Sequence, residues 1–197
     1  PKPPFDFNLT RHHNDHFRGI HATDSSSQEC LVLVLDIDKQ LIMVHVKSVG
    51  TVDCPMLELT VEGEQSVSDT IESVKLKVSW ILGTQQNLSP FYAMAQHDKT
   101  LSLITNDLWG LHVPHSASVY ESLVTAILGQ RITSKVAAML RKSVIETYGY
   151  KLKSKGSTYY GFPPPQVLAR ARIDDLRKLK LGSLQAKYIV NISTDVT

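Results

Sequence analysis

Ser118-Val119-Tyr120-Glu121-Ser122-Leu123-Val124-Thr125-Ala126-Ile127-Leu128-Gly129-Gln130-Arg131-Ile132-Thr133-Ser134-Lys135 decides how the second half of the chain is read. Ser118 and Glu121 have the spacing of a capping box, in which the hydroxyl accepts from the third helical amide and the carboxylate reaches back. Val119, Leu123 and Ile127 then fall on one face of a helix that Gly129 interrupts. A second helix begins after a Thr133 or Ser134 cap, carries Val136, Leu140 and Val144 at intervals of four, and stops at Gly149 after Tyr148. Between them Gly129-Gln130-Arg131-Ile132-Thr133 is a short polar loop with one cation.

Downstream come the Lys151, Lys153, Lys155 series, Phe162-Pro163-Pro164-Pro165 setting the entry to a helix, and short helices holding Val167, Leu168 and Ala171, then Leu176 and Leu179. A last helix from a capping Ser183 to about Thr194 carries Ala186, Ile189, Val190 and Val196. It has no C-cap glycine or polar tail, so we expect the 197 residues to be a fragment of a longer chain. Upstream the texture is different. Leu31-Val32-Leu33-Val34-Leu35 and Leu41-Ile42-Met43-Val44-His45-Val46 read as strands joined by the polar turn Asp36-Ile37-Asp38-Lys39-Gln40, and Leu57 to Glu62 alternates apolar with polar. A helix with Val67, Ile71, Val74, Val78 and Ile81 follows, with Ser68 as its N-cap. The expected class is α+β: an N-terminal antiparallel sheet domain with flanking helices over residues 1–84, then an all-helical domain, incomplete, over 85–197.

A composition of 42% hydrophobic and 20% charged residues excludes disordered and fibrous classes. The formal charge of +2 conceals an asymmetry: residues 1–75 hold 6 basic and 12 acidic side chains, residues 76–197 hold 15 and 7. Such a division points to a polyanion as the partner of the second half. No apolar run approaches a membrane span and no secretory signal opens the sequence, so the expectation is an intracellular protein, in cytoplasm and nucleoid or in a nucleus. Cys30 and Cys54 read as buried free thiols. His12, His13, His16 and His21 resemble a metal tract but lack a recognisable zinc spacing, and Asp36 and Asp38 lack the glycine and downstream glutamate of a calcium loop; no metal is expected. Trp80 and Trp109 lie in helical apolar patterns and read as core.

The order Pro90-Phe91-Tyr92-Ala93-Met94-Ala95, Asp98, Leu101, Gly110-Leu111, Tyr120 to Val124, Ala126-Ile127-Leu128-Gly129-Gln130, Tyr148-Gly149, Phe162-Pro163, Leu176-Arg177, Leu181-Gly182 and Ala186-Lys187-Tyr188-Ile189 resembles the DNA-3-methyladenine glycosylase II family, within the helix-hairpin-helix glycosylases of base-excision repair. The resemblance covers residues 85–197 well and the opening Pro4-Phe5-Asp6-Phe7 more loosely. It implies hydrolysis of the N-glycosidic bond of an alkylated purine such as 3-methyladenine in duplex DNA, after the nucleotide is extruded into a pocket. It implies no metal or organic cofactor, because the cationic base is already a leaving group and a carboxylate suffices for the oxocarbenium charge.

Carried over residue by residue, the resemblance places Gln130 and Arg131 on the DNA-probing loop, with Arg131 at the inserted position, where many relatives have an apolar or amide side chain. A guanidinium can stack in the gap and hydrogen-bond to an orphaned base; the alternative is a solvated loop arginine. Thr133, Ser134 and Lys135 begin a helix whose amides can hold a phosphate, or they simply cap it. Lys151, Lys153, Lys155, Arg170, Arg172, Arg177, Lys178 and Lys180 can attract phosphate or form a solvated face. The family's backbone-gripping hairpin and catalytic aspartate are expected beyond Thr197; Asp174, Asp175 and Asp195 do not match it, so no catalytic residue is assigned. The expected protein is a monomeric DNA glycosylase whose 197 residues are inactive alone and whose partner is double-stranded DNA carrying a damaged base or an abasic site. Two readings compete with it: a non-catalytic DNA-binding or scaffold protein of the same descent, and an acidic half that serves mainly in protein interaction.

Overall fold

Leu31 to Leu35 is apolar at every position because the strand it forms, β1 (Cys30–Ile37), is covered on both faces. In the computed structural model, which describes residues 1–18, 30–62, 67–154 and 156–197, β1 pairs antiparallel with β2 (Gln40–Ser48), and β2 with β3 (Leu57–Glu62), in the order β1-β2-β3. Asp38 and Lys39 make the β1–β2 turn with φ of 53° and 65°, the left-handed pair of a two-residue hairpin whose twist matches the strands it joins. Leu33, Leu35, Ile42, Val44 and Val46 face one side of the sheet, where they pack with Phe5, Phe7 and the Val74, Val78 and Ile81 stripe of α2 (Val67–Ile81). Ser68, expected as the cap of this helix, lies inside it.

The N-terminal segment enters α1 (Phe7–Arg18), and residues 82–117 wrap the same core. They carry α3 (Ser89–Ala95) and α4 (Lys99–Asp107), the latter capped by Asp98, which accepts from the amides of Thr100 and Leu101 at 2.8 and 2.9 Å. His112 is fully buried between three strands of chain. Its ring nitrogens lie 2.7 and 2.9 Å from the carbonyl oxygens of Gly83 and Pro4, and its amide donates to the Thr10 hydroxyl. Gly110, at φ 82°, is required where it is, since a Cβ there would lie 2.7 Å from the Asp6 amide nitrogen that donates to its carbonyl.

A second core is built from Val124 and Leu128 of α5 (Val119–Gly129), Leu140 and Val144 of α6 (Ser134–Tyr148), Leu168 of α7 (Pro165–Ala169), Leu176 of α8 (Ile173–Lys178), and Ala186 and Ile189 of α9 (Ser183–Asp195). The α+β class is borne out, with one element absent from the sequence reading. Residues expected as a lysine-rich connector form the hairpin β4 (Tyr150–Ser154) and β5 (Ser157–Gly161), which lies on the other face of the sheet. Tyr159 packs there with Val34 and Met43, Tyr150 donates to Asp36 at 2.6 Å, and Ser154 donates to Glu62 at 2.8 Å. Lys155 lies outside the described residues.

Three expectations about buried residues need correction. Cys54 is exposed, and only Cys30 is partly buried. Trp80 is 57% exposed, lies against His115 with ring centroids 4.5 Å apart, and donates its indole N–H to Ser116, so it covers a loop. Trp109 follows α4 and lies over Tyr92 at 4.2 Å, with 41% of its surface exposed.

Candidate nucleic-acid interface

The serine half of the capping box forms as the sequence implies, whereas the glutamate reaches one residue further back than the cap. Ser118 accepts from the Glu121 amide at 3.1 Å, and Glu121 reaches back to the amide of Ala117, also at 3.1 Å. The buried face of α5 is rotated from the one expected. Val124 and Leu128 are its buried positions, whereas Val119 is 77% and Leu123 41% exposed. The reason is the partner helix. α9 lies along α5 and is tied to both of its ends: Tyr120 and Ser193 hydroxyls are 2.7 Å apart at one, and Gln185 meets the carbonyls of Ile127 and Leu128 at the other.

Ile127 and Leu128 lie in the last turn of α5, where the carbonyls lack i+4 partners within the helix. Gln185 Nε2 donates to these two oxygens at 3.1 and 3.3 Å, while its Oε1 accepts from the amide of Gly182 at 3.0 Å. The cap position of α9 is therefore Gly182, one residue before the serine expected there. One amide side chain joins the C-terminus of α5 to the N-terminus of α9, and α6 begins five residues beyond Gly129. Two helix N-termini, each with outward amides and the positive end of a helix dipole, thus flank one loop.

Gln130, Arg131, Ile132, Thr133, Ser134 and Lys135 are all exposed on this loop and the start of α6. Gln130, Arg131, Thr133, Ser134 and Lys135, expected from the sequence to face DNA, share this one exposed surface. Gln130 is extended (φ −65°, ψ 125°), and its amide donates to Ile127 at 3.3 Å. Arg131 has φ 57°, a left-handed conformation that costs an L-residue about 1–2 kcal/mol. It throws the side chain outward at the tip. Thr133 caps α6, accepting from Val136 at 3.4 Å, which settles the choice left between Thr133 and Ser134. A Cβ on Gly129 would meet nothing within 4 Å, so this glycine leaves the surface bare for neither strain nor packing.

The eight cations downstream divide. Lys151 sits on the sheet-packed hairpin, 5.9 Å from the Tyr160 ring centroid, and Lys153 is on the same strand. Arg177 and Lys178 pair with Asp174 and Asp175 across one turn of α8, at 3.7 and 2.7 Å. Arg170, Arg172 and Lys180 are exposed and bracket α8, ahead of the Gly182 start of α9.

Four carboxylates of the helical half lie away from the loop, three of them in ion pairs. Asp174 and Asp175 occupy the first turn of α8, as expected of negative charge there, and the hydrogen bond from Lys178 holds the Asp175 carboxyl below its ordinary range. Glu146 faces Lys142 at 3.7 Å. Asp195 lies at the far end of α9, roughly 18 Å along the axis from Ser183. A cavity of about 200 Å³ lies between β1, Lys77 and the start of α5, and none of residues 129–135 lines it. Among the described residues no group of three or more His, Cys, Asp or Glu side chains converges as metal ligands, and no helix is long and apolar enough to cross a membrane. Of the histidine tract, the side chains of His13 and His16 and all of His21 lie outside the described residues.

Gln185 was missed in the sequence. Its neighbours Leu181, Gly182 and Ala186 carried the resemblance, but nothing local marks a glutamine that bonds 57 residues back along the chain.

No protein-family model matches the chain. The sequence is 32% identical over 122 residues to DNA-3-methyladenine glycosylase of Bacillus subtilis (strain 168), covering 62% of this chain and 40% of that protein. It is 33% identical over 84 residues to DNA-3-methyladenine glycosylase 2 of Escherichia coli (strain K12), covering 43% of this chain and 29% of that one. The fold matches 3-methyladenine DNA-glycosylase from Archaeoglobus fulgidus with a TM-score of 0.80 over 98% of this chain and 64% of that structure, at 23% identity. The chain therefore spans less than half the length of these two curated relatives. The resemblance read from the sequence is borne out by homologues of that name and by a solved DNA glycosylase of like fold.

Proposed function

Taking a chain homologous to proteins named DNA-3-methyladenine glycosylase as the premise, we propose that it is part of a base-excision-repair enzyme that removes alkylated purines, and that residues 129–135 are its DNA-probing face. The observation that carries this reading is the tip residue Arg131, held left-handed and exposed between the N-termini of α6 and α9. Phosphates on either side of a lesion accept from the first amides of these helices and from Lys135, which sets the register without reading sequence. The planar guanidinium enters the stack and hydrogen-bonds to what the departing base leaves behind. Extruding a base costs a few kcal/mol, least where pairing is already damaged, so abasic and alkylated sites are the preferred targets.

The bond broken is the N-glycosidic bond of a purine made cationic by alkylation, 3-methyladenine being the type substrate. The reaction needs a carboxylate near the developing oxocarbenium ion. Asp174, Asp175 and Glu146 are engaged with lysines and an arginine on their own helices, and Asp195 stands at the opposite end of α9 from the loop. The 197 residues therefore bind and open damaged duplex DNA without releasing the base, and the carboxylate comes from elsewhere in the protein. The protein works as a monomer inside the cell and needs no cofactor.

Fluorescence anisotropy on a duplex with a central abasic analogue tests the binding. The expected result is preference over undamaged duplex and a log–log salt slope of roughly −3 to −5, as for three to five neutralised phosphates. Equal binding to both duplexes with no loss in Arg131→Ala overturns the reading. Release of methylated adenine by these 197 residues overturns the assignment of the carboxylate.

A further inference from the structure

Arg131 occupies a conformation that its own residue type disfavours, and such a conformation persists only where its surroundings fix it. Few bonds within the loop itself serve this task. The Gln130 amide to Ile127 measures 3.3 Å and the Val136 amide to Thr133 3.4 Å, both at the long end of the hydrogen-bond range. At its far end the loop is held by the Ala137 amide, which donates to the Thr133 carbonyl at 2.9 Å, and at its near end by Gln185, whose Nε2 donates to Ile127 and Leu128 at 3.1 and 3.3 Å. The same side chain fixes its own position by accepting from Gly182 at 3.0 Å, and it is half-buried, so water competes weakly for either end.

We infer that Gln185 is the positioning residue of the DNA-probing loop: its amide N–H group anchors the two carbonyls from which residues 129–133 spring, and so sets where Arg131 points. The inference rests on the proposed role of that loop but is separable from it, because the two functions of the side chain use different atoms. The carbonyl oxygen caps α9 and the NH₂ group holds α5. Gln185→Glu keeps an acceptor at the helix start, where negative charge is favourable, and removes the donor, setting a carboxylate oxygen against two carbonyl oxygens. Gln185→Met removes both functions at similar size and without adding charge.

Limited trypsin digestion reads the loop without DNA, because Arg131-Ile132 is a tryptic bond at the exposed tip, while Lys151 and Lys153 on β4 serve as internal references. In both variants cleavage after Arg131 is expected to accelerate at least about tenfold, the factor for losing even one of the two Nε2 hydrogen bonds at ordinary net strength, with the β4 sites unchanged. A second assay follows 2-aminopurine placed beside an abasic site. Both variants are expected to lose about tenfold in the unstacking signal at saturating protein, with the salt slope of binding unaltered. Unchanged cleavage after Arg131 in both variants overturns the inference, as does equal acceleration at all three sites, which marks general destabilisation. An unstacking signal equal to that of the unaltered chain also overturns it. Absence of unstacking by the unaltered chain overturns the proposed function of the loop, and the digestion then decides the clamp alone.

Discussion

Replacing Arg131 by glycine is expected to stabilise the fold and abolish probing of DNA in one step. The residue sits at φ 57°, where an L-side chain costs about 1–2 kcal/mol and glycine nearly nothing. Against this gain stands the greater freedom of a glycine in the unfolded chain, about 0.4–1 kcal/mol. The exposed side chain has no core contact to lose, so the net expectation is about 0.5–1 kcal/mol of added stability. For a chain of 197 residues this raises Tm by roughly 1–4 °C. Differential scanning calorimetry measures the first effect and 2-aminopurine unstacking the second. Arg131→Ala serves as the control, since it removes the guanidinium but keeps the backbone strain. It should leave Tm within about 1 °C and lose unstacking equally. A lower Tm for Arg131→Gly than for Arg131→Ala refutes the strain argument, and retained unstacking in both refutes the role of the guanidinium.

Other outcomes follow from the same geometry. Gly129→Ala points its methyl into open space at a helical position, so it should add about 0.5–1 kcal/mol in urea unfolding yet weaken abasic-duplex binding about tenfold by holding the DNA backbone away. Gly149→Ala places Cβ 2.2 Å from the Gly161 carbonyl and 2.5 Å from that of Ile145, and should lower the urea midpoint by the equivalent of about 3 kcal/mol. Tyr150 is pushed up to about 12, first by burial and then by its hydrogen bond to Asp36. The folded pKa is raised, so this stabilisation is complete below pH 10, the ordinary tyrosine value, and is lost as pH rises from 10 to 12. Comparing thermal melts of the unaltered chain and Tyr150→Phe across that window should show the steeper loss in the unaltered chain.

What was legible in the sequence was local. The Ser118–Glu121 box and the cap at Thr133 are fixed by residues three positions apart, and the loop between them was located correctly from these signals alone. The strands β1 and β2 were legible because burial on both faces leaves no polar interruption from Leu31 to Leu35. What failed depended on distant partners. The apolar series Val119, Leu123 and Ile127 has helical spacing, but α9 packs one position round the helix, on Val124 and Leu128. Tyr150-Lys151-Leu152-Lys153-Ser154 alternates as a strand should, yet its lysines were read as a charge series, and only the sheet face bearing Val34 and Met43 explains why it pairs. Trp80 and Trp109 have the composition of core residues but lie partly exposed, one over the loop at Ser116 and the other over Tyr92 of α3. Gln185 is intelligible only once α9 is laid along α5.

The claim that the end of the α5–α6 unit is the DNA face is tested most directly by titrating the ¹⁵N-labelled chain with a duplex containing an abasic analogue and following the backbone amide resonances. The expected result is that the largest shifts fall on Gln130 to Lys135 and on Ser183 and Leu184 at the start of α9. Shifts concentrated on α3 and α4, or on the β4–β5 hairpin with the loop silent, contradict it.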